Sequence, residues 1–218
     1  MKRICKYAIA IILCFASLFM GAFLGMIEIS ASSYLASGFY RSDFTKGIGY
    51  SGPTAFYSNL GYSRSTYSNS TSSNWKSVTE NSEVEFIHTH GANGYFTLSS
   101  STDISGNMIQ SMSFSDTPKL VYISACYAGN NSTTYGNVGQ ALVNKGVDSV
   151  VAFTSTISAT SSTNGIHKFN LKVAIKLCYN HNNLSTALSN SLAEIYAEDG
   201  EYWGANNKVV YGSNYISF

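Results

Sequence analysis

Two apolar segments of the chain each end in a chemically reactive side chain. The first, VEFIHTHG, places His88 and His90 one residue apart, with Gly91 directly after them. The second, KLVYISAC, ends in Cys126. A thiol and an imidazole are the minimum for nucleophilic acyl transfer, because the sulfur attacks a carbonyl and the imidazole moves protons. The pattern predicts Cys126 as a nucleophile and His90 as its acid or base.

The elements around these segments alternate between strand and helix patterns. Strands are predicted in VEFIH, KLVYIS, DSVVAF and NKVVY, and amphipathic helices in NVGQALVNKG, GIHKFNLKVAIKLC and LSTALSNSLAEIY. Such alternation predicts an α/β fold whose mostly parallel sheet is covered on both faces. Functional groups collect at the carboxyl ends of parallel strands, so we expect His90 and Cys126 at one sheet edge.

The other segments give weaker signals. SGPTAFYSNLGY predicts a short helix, SRSTYSNSTSSNW a polar loop, and DISGNMIQSMSF a weak helix with Ile104, Met108 and Met112 on one side. Residues before about 82 are expected to add an edge strand and a helix to the same domain. The stripe of lysines in the long helix, Lys168, Lys172 and Lys176, is expected to be a solvated face.

Residues 1–32 read as a targeting segment. Basic MKRICKY precedes an uncharged run from Ala8 to Ile27, and small residues follow. This order predicts a secretory signal peptide or, given the length of the run, an N-terminal membrane anchor. In both cases residues 33–218 form one exported domain, either secreted or anchored outside the cytoplasm. A formal net charge of +1 with only 11% charged residues argues against nucleic-acid binding.

The chain resembles the caspase, gingipain and clostripain superfamily of cysteine peptidases (clan CD), including the bacterial CHAT-like domains. Strands ending in His-Gly and in Ala-Cys carry the resemblance, with GNVGQALVNKGVDSVVAFT and VVYGSN after them. It implies a caspase-like three-layer sandwich, a protein or peptide substrate and no cofactor or metal. It further implies His90 and Cys126 as the catalytic pair, and backbone N–H groups of Gly91 and Cys126 as an oxyanion hole.

The same resemblance assigns a substrate pocket. Its wall is the segment Ala152–Ser158, which includes Phe153, Thr154 and Ser155. The segment contains no acidic residue, so a preference for Arg or Lys before the cleaved bond would need an acid from elsewhere, such as Asp116 or Asp148.

Three alternatives stay open at this level. A His-x-His pair at a strand end can bind a metal ion in a metallohydrolase, but only His167 and His181 remain as further histidines, and both are expected on the surface. The domain could instead be a non-catalytic module that binds a partner. A Cys126–Cys178 disulfide would disable the nucleophile; we expect Cys178 in the core and His88 packed in its strand.

Overall fold

A computed structural model of the protein describes residues 34–41, 52–158 and 165–218. Its centre is a six-stranded sheet in the order β2-β1-β3-β7-β8-β9. The strands are β1 (Leu35–Tyr40), β2 (Ser63–Ser68), β3 (Val84–His88), β7 (Leu120–Ser124), β8 (Ser149–Phe153) and β9 (Lys208–Gly212). All neighbours pair in parallel except β9, which runs antiparallel to β8. The predicted mostly parallel sheet is confirmed.

Helices cover both faces of the sheet. One core contains side chains of α1 (Gly52–Tyr57), α5 (Ile166–Cys178) and α6 (Leu184–Asp199). The other contains side chains of α2 (Ser72–Thr79), α3 (Gly106–Ser111) and α4 (Val138–Asn144), together with a small antiparallel sheet of β4 (Gly91–Ala92), β5 (Tyr95–Ser99) and β6 (Thr102–Ser105). The protein is therefore a three-layer α/β/α sandwich.

The central strands are apolar because both of their faces are covered. Every residue of β3, β7 and β8 is buried. Alternate residues of β3 pack into different cores. Val84 and Phe86 pack in the core that contains α5 and α6, and Ile87 packs in the core on the opposite face. Full burial of a side chain of this size stabilises the fold by about 1.5–3 kcal/mol. This is the continuous apolar pattern of a parallel sheet.

Two sequence predictions are wrong in the polar part of the chain. The segment predicted as a loop holds β2 and α2, which begins with the Thr71 side chain accepting a hydrogen bond from the Asn74 N–H. Strand β2 is the outer strand of the sheet, so most of its residues face solvent and need not be apolar. The weak helix is also shorter than predicted: Ile104 lies in β6, and Ile109 rather than Met108 is the buried residue of α3.

The lysines of α5 pair with acids of α6 rather than forming a solvated face, so that prediction is wrong. Nζ of Lys168 lies 2.6 Å from Asp199, Nζ of Lys172 lies 2.8 Å from Glu198, and Nζ of Lys176 lies 2.5 Å from Glu194. Each pair is partly exposed, so solvent weakens the attraction between its charges. Together they fix α5 against α6.

The predicted targeting segment, residues 1–32, lies outside the described residues, so its boundary and the export of the domain stay predictions. No helix within the described ranges is long and apolar enough to cross a membrane.

A buried carboxyl group links β3 to α2. Glu85 is fully buried, and its two oxygens accept hydrogen bonds from Trp75 Nε1 and Thr79 Oγ1, each at 2.7 Å. The single Thr79 hydroxyl proton can also reach the Trp75 carbonyl oxygen, at 2.8 Å. If Glu85 is protonated it donates to Thr79, which then donates to Trp75. Burial raises the pKa of Glu85 to about 7.

This raised pKa predicts a stability change with pH. The unfolded carboxyl titrates near 4.5 and the folded one near 7, so the folded state binds more protons between these values. The stability that Glu85 contributes is fully present below pH 4.5 and is lost as the pH rises through 7, by on the order of 3 kcal/mol. Glu85→Gln keeps both hydrogen bonds, so we expect it to remove this fall in urea unfolding from pH 4.5 to 8.

Glu83→Gln is the matched control, because Glu83 lies in the same segment but is partly exposed beside Lys119. It should leave the shape of the pH profile unchanged. If the Glu85→Gln and wild-type profiles run parallel, Glu85 does not carry the effect.

Candidate active site

Strands β3 and β7 are neighbours, and their register sets His90 beside Cys126. Val84 lies opposite Leu120, and the pairing continues without a shift to His88 opposite Ser124. The Thr89 N–H donates to the Ser124 carbonyl oxygen at 3.2 Å, which extends the contact beyond the strand ends. His90 and Cys126 each follow the last paired residue of their strand by two positions. Both therefore lie at the carboxyl edge of the sheet, just beyond the ends of two neighbouring strands.

Gly91 is in close contact with the segment that carries Cys126. A β-carbon on Gly91 would lie 2.9 Å from the Ala125 β-carbon, 2.9 Å from the Cys126 carbonyl oxygen and 3.0 Å from the Tyr95 carbonyl oxygen. The two distances of 2.9 Å are shorter than β-carbons show in proteins, and the third is at the limit. Only glycine lets the two backbones approach this closely.

The sulfur of Cys126 is positioned by the segment that follows β8. Sγ accepts a hydrogen bond from the Ile157 N–H at 3.4 Å and lies 3.7 Å from the Ile157 carbonyl oxygen. The N–H can stabilise negative charge that develops on sulfur, and the carbonyl can accept the thiol proton. Cys126 is partly exposed and His90 is exposed, so both are open to a substrate.

The residues predicted to form the pocket wall have different environments. Phe153 is completely buried between Tyr122 and Phe169, so its side chain offers no surface to a substrate. Thr154 and Ser155 are partly exposed. The Ser155 carbonyl accepts a hydrogen bond from the Tyr127 N–H at 3.1 Å, which holds the wall against the turn after Cys126.

Neither acid considered for a basic pocket can serve it. Asp148 directly precedes β8 and Asp116 lies in the loop before β7, so both lie at the amino ends of these strands. His90 and Cys126 lie at the carboxyl ends, on the opposite edge of the sheet.

A buried polar network lies within the sheet, two residues before His90 and Cys126. His88 Nδ1 and the Ser124 hydroxyl are 2.9 Å apart. Ser124 Oγ also accepts a hydrogen bond from Asn170 Nδ2 at 2.9 Å, and Asn170 Oδ1 accepts one from the Tyr122 hydroxyl at 2.9 Å. His167, predicted on the surface, is completely buried, and its ring packs against that of His88 with centroids 4.5 Å apart. This pair could not be predicted from the sequence, because His167 belongs to a different element.

Burial keeps both imidazoles neutral. It lowers the pKa of His167 to about 4. Burial, followed by the effect of His167, lowers the pKa of His88 well below its ordinary value.

The competing readings of these residues find no support in the geometry. Within the described ranges, no group of three or more His, Cys, Asp and Glu side chains could hold a metal ion. Cys126 and Cys178 do not form a disulfide bond. Cys178 is the last residue of α5, whereas the first residue, Ile166, bonds to Ser158 next to the site, so the helix length separates the two thiols. Burial raises the pKa of Cys178 to about 12, so its thiol stays protonated.

No protein-family model matches the sequence, and no curated protein is detectably similar to it. Solved structures do match its fold. The Arg-specific cysteine proteinase gingipain R superposes with a TM-score of 0.65 at 11% identity, over 85% of this chain and 47% of that one. The fold is caspase-like. A structure described only as a protease superposes with a TM-score of 0.53, over 85% of this chain and 49% of that one. The structure of pro-sf-caspase-1 superposes with a TM-score of 0.50, over 85% of this chain and 93% of that one. Both are 11% identical to this chain.

The predicted resemblance to clan CD cysteine peptidases is therefore confirmed at the level of the fold. This chain spans about half the length of the gingipain R chain. At 11% identity the similarity describes architecture, and the roles of individual residues are argued from their own geometry.

The contact at Gly91 predicts that Gly91→Ala is disruptive. The new methyl group would press on the backbone of Cys126, and overpacking of this kind costs about 1–3 kcal/mol. We expect a lower free energy of unfolding and a changed alkylation rate of the Cys126 thiol by iodoacetamide. Gly61→Ala is the control, because Gly61 has a φ of 84° but no atom within 4 Å. Gly61→Ala should lower the free energy of unfolding without changing the alkylation rate of Cys126. Equal alkylation rates in the wild type, Gly91→Ala and Gly61→Ala would contradict the close contact of Gly91 with the Cys126 segment.

The buried histidine pair predicts loss of stability in acid. Unfolded histidine titrates near 6.5, and folded His167 near 4, so the folded state binds fewer protons between these values. The stability that neutral His167 contributes above pH 6.5 is lost as the pH falls towards 4. The free energy of unfolding of His167→Gln, measured with urea, should therefore rise relative to that of the wild type as the pH is lowered over this range. The exposed His181, replaced by Gln, should leave the wild-type slope, and an unchanged slope in His167→Gln would count against the burial effect.

Proposed function

We propose that this protein is a cysteine endopeptidase that hydrolyses peptide bonds through Cys126 and His90. The observation that carries the proposal is the close contact of Gly91 with the Ala125–Cys126 backbone. It brings an imidazole, a thiol and two backbone segments to one open edge of a caspase-like sheet. A buried inert cysteine or a structural histidine would not need this arrangement.

Each group has a role that its position supports. The Cys126 sulfur attacks the scissile carbonyl, and the oxyanion that forms accepts hydrogen bonds from the N–H groups of Gly91 and Cys126. His90 accepts the Cys126 thiol proton and gives it to the leaving amine as the C–N bond breaks, and a thioester acyl-enzyme remains. Water then attacks the thioester while His90 accepts its proton and passes it to the departing sulfur, which releases the acid product and restores the thiol. The reaction needs no cofactor or metal.

The wall formed by Thr154 and Ser155 lies beside the acyl part of the substrate, because the Ile157 backbone contacts Sγ. In the described part of the wall the side chains carry no charge. We infer a preference for an uncharged residue before the cleaved bond.

We also propose that the activity is exported. The support is the basic-apolar-small order of residues 1–32. Amino-terminal sequencing of the protein recovered from medium and membrane fractions would separate a cleaved signal from a retained anchor.

Labelling with acyloxymethyl ketone peptides tests the peptidase assignment. Such a probe alkylates an active-site thiol, so we expect labelling of the wild type and none of Cys126→Ala. The matched control is Cys178→Ala, which removes the buried thiol and should label like the wild type. Peptide cleavage should be lost in Cys126→Ala, and His90→Ala should lower kcat by about 10²–10⁴-fold.

Three results would oppose the proposal in different ways. Equal labelling of wild type and Cys126→Ala would exclude Cys126 as the nucleophile. Correctly folded wild type with neither labelling nor cleavage would favour the partner-binding module. Inhibition by chelators without inhibition by thiol alkylation would favour the metallohydrolase.

A further inference from the structure

An open cavity of about 420 Å³ lies between the hairpin after Gly91 and the loop after Cys126. The hairpin supplies Ala92, Asn93 and Tyr95 to its lining, and the loop supplies Tyr127, Ser132 and Tyr135. The lining therefore begins two residues after His90 and one residue after Cys126.

Three tyrosines make the cavity aromatic. The rings of Tyr95 and Tyr135 lie 4.9 Å apart at an interplanar angle of 63°, so they form two sides of a corner. Tyr127 and Tyr135 are 40% and 44% exposed, and they rank among the most exposed large aromatic side chains of the described residues. Exposed rings that border a cavity can stabilise a bound ligand by stacking against it.

The position of Tyr127 is fixed and strained. Its φ is +57°, in the left-handed region that a tyrosine rarely adopts. The strain is held by hydrogen bonds on both sides: the Tyr127 N–H donates to the Ser155 carbonyl, and its hydroxyl accepts from Thr156 Oγ1 at 3.0 Å. Strain of this kind persists where surrounding contacts enforce it, commonly at binding sites.

The rest of the lining is preformed. Gly94 packs so tightly on the loop after Cys126 that a β-carbon there would lie 2.3 Å from the Gly136 carbonyl oxygen. Asn130 Nδ2 donates to Asn93 Oδ1 at 2.9 Å, which ties the hairpin to the same loop. The cavity therefore exists without a ligand, and binding does not need to order its walls.

We propose that this cavity binds an aromatic side chain of the substrate on the carboxyl side of the cleaved bond. The inference rests on the proposed peptidase function. His90 protonates the leaving amine, so the leaving segment lies on the side of His90, where the hairpin begins. The acyl segment lies on the other side, where Ile157 contacts the Cys126 sulfur.

The chemistry of the lining selects an aromatic group. No lining residue carries a charge, so a carboxylate or ammonium group would lose hydration without gaining an ionic partner. A flat ring can stack in the corner made by Tyr95 and Tyr135, a contact worth roughly tenfold in binding. We expect Phe, Tyr or Trp to be preferred within the first residues after the cleaved bond.

Digestion of a proteome-derived peptide library tests the proposal, because it reports the residues on both sides of every cleaved bond. The wild type should show aromatic residues enriched after the bond. Tyr135→Ser should lose this enrichment and lower kcat/KM about tenfold for a peptide with Phe after the bond, relative to the same peptide with Ser there. Tyr135→Phe should keep the enrichment.

Tyr196→Ser is the matched control, since Tyr196 is an equally exposed tyrosine, stacked on Tyr202 in another part of the protein. It should cleave with the wild-type preference. The rate of Cys126 labelling by an acyloxymethyl ketone reports on the dyad separately, because the probe carries no residue beyond the scissile position.

Cleavage without an aromatic preference, or the same preference in Tyr135→Ser, would overturn the inference and leave the peptidase assignment intact. A preference for Lys or Arg after the bond would also overturn it, because the rings would then act as a cage for a cation. No cleavage and no labelling would remove the proposed function, and the inference with it.

Discussion

The close packing of Gly91 on the Ala125–Cys126 backbone is the contact on which the candidate site depends. It is possible only because β3 and β7 are adjacent and pair in register up to His88 and Ser124. A shift of one residue between these strands would turn the side chains of one strand to the other face and break the alignment of the two strand ends. The fully buried strands, with alternate residues fixed in two separate cores, make such a shift costly. The geometry of the site is therefore a property of the whole sheet rather than of two loops.

The layer behind the site adds a second constraint. The hydrogen bonds from His88 through Ser124 and Asn170 to Tyr122 join β3, β7 and α5 directly beneath the dyad. Each member is buried, so breaking one bond would leave a polar group without water. The network thus holds the ends of β3 and β7 together within the buried layer. The contacts of Ile157 and Gly91 with the Cys126 segment hold the residues that follow these strands. Rigid support of this kind keeps reacting groups in place without substrate.

The sequence predicted the central strands and the long helices, because these depend on local periodicity, and it predicted that His90 and Cys126 follow neighbouring parallel strands. It failed for β2 and α2, where Ser, Thr and Asn give no apolar period at the sheet edge. It also failed for His167, whose burial depends on how α5 packs against β3, and for the lysines of α5, whose partners lie in α6. The tyrosine cavity was missed for the same reason: Tyr95, Tyr127 and Tyr135 come together only through tertiary contacts between the hairpin and the loop after Cys126.

The ion pairs between α5 and α6 have a consequence for how this protein meets other molecules. The lysines of one helix are matched by acids of its neighbour within the same chain, and the formal net charge is only +1. Fields from such matched charges cancel over a short distance, so the surface attracts neither anionic nor cationic molecules from afar. Encounters then follow ordinary diffusion and depend little on ionic strength. Under the proposed function, recognition takes place after contact, by shape and by the rings of the tyrosine cavity.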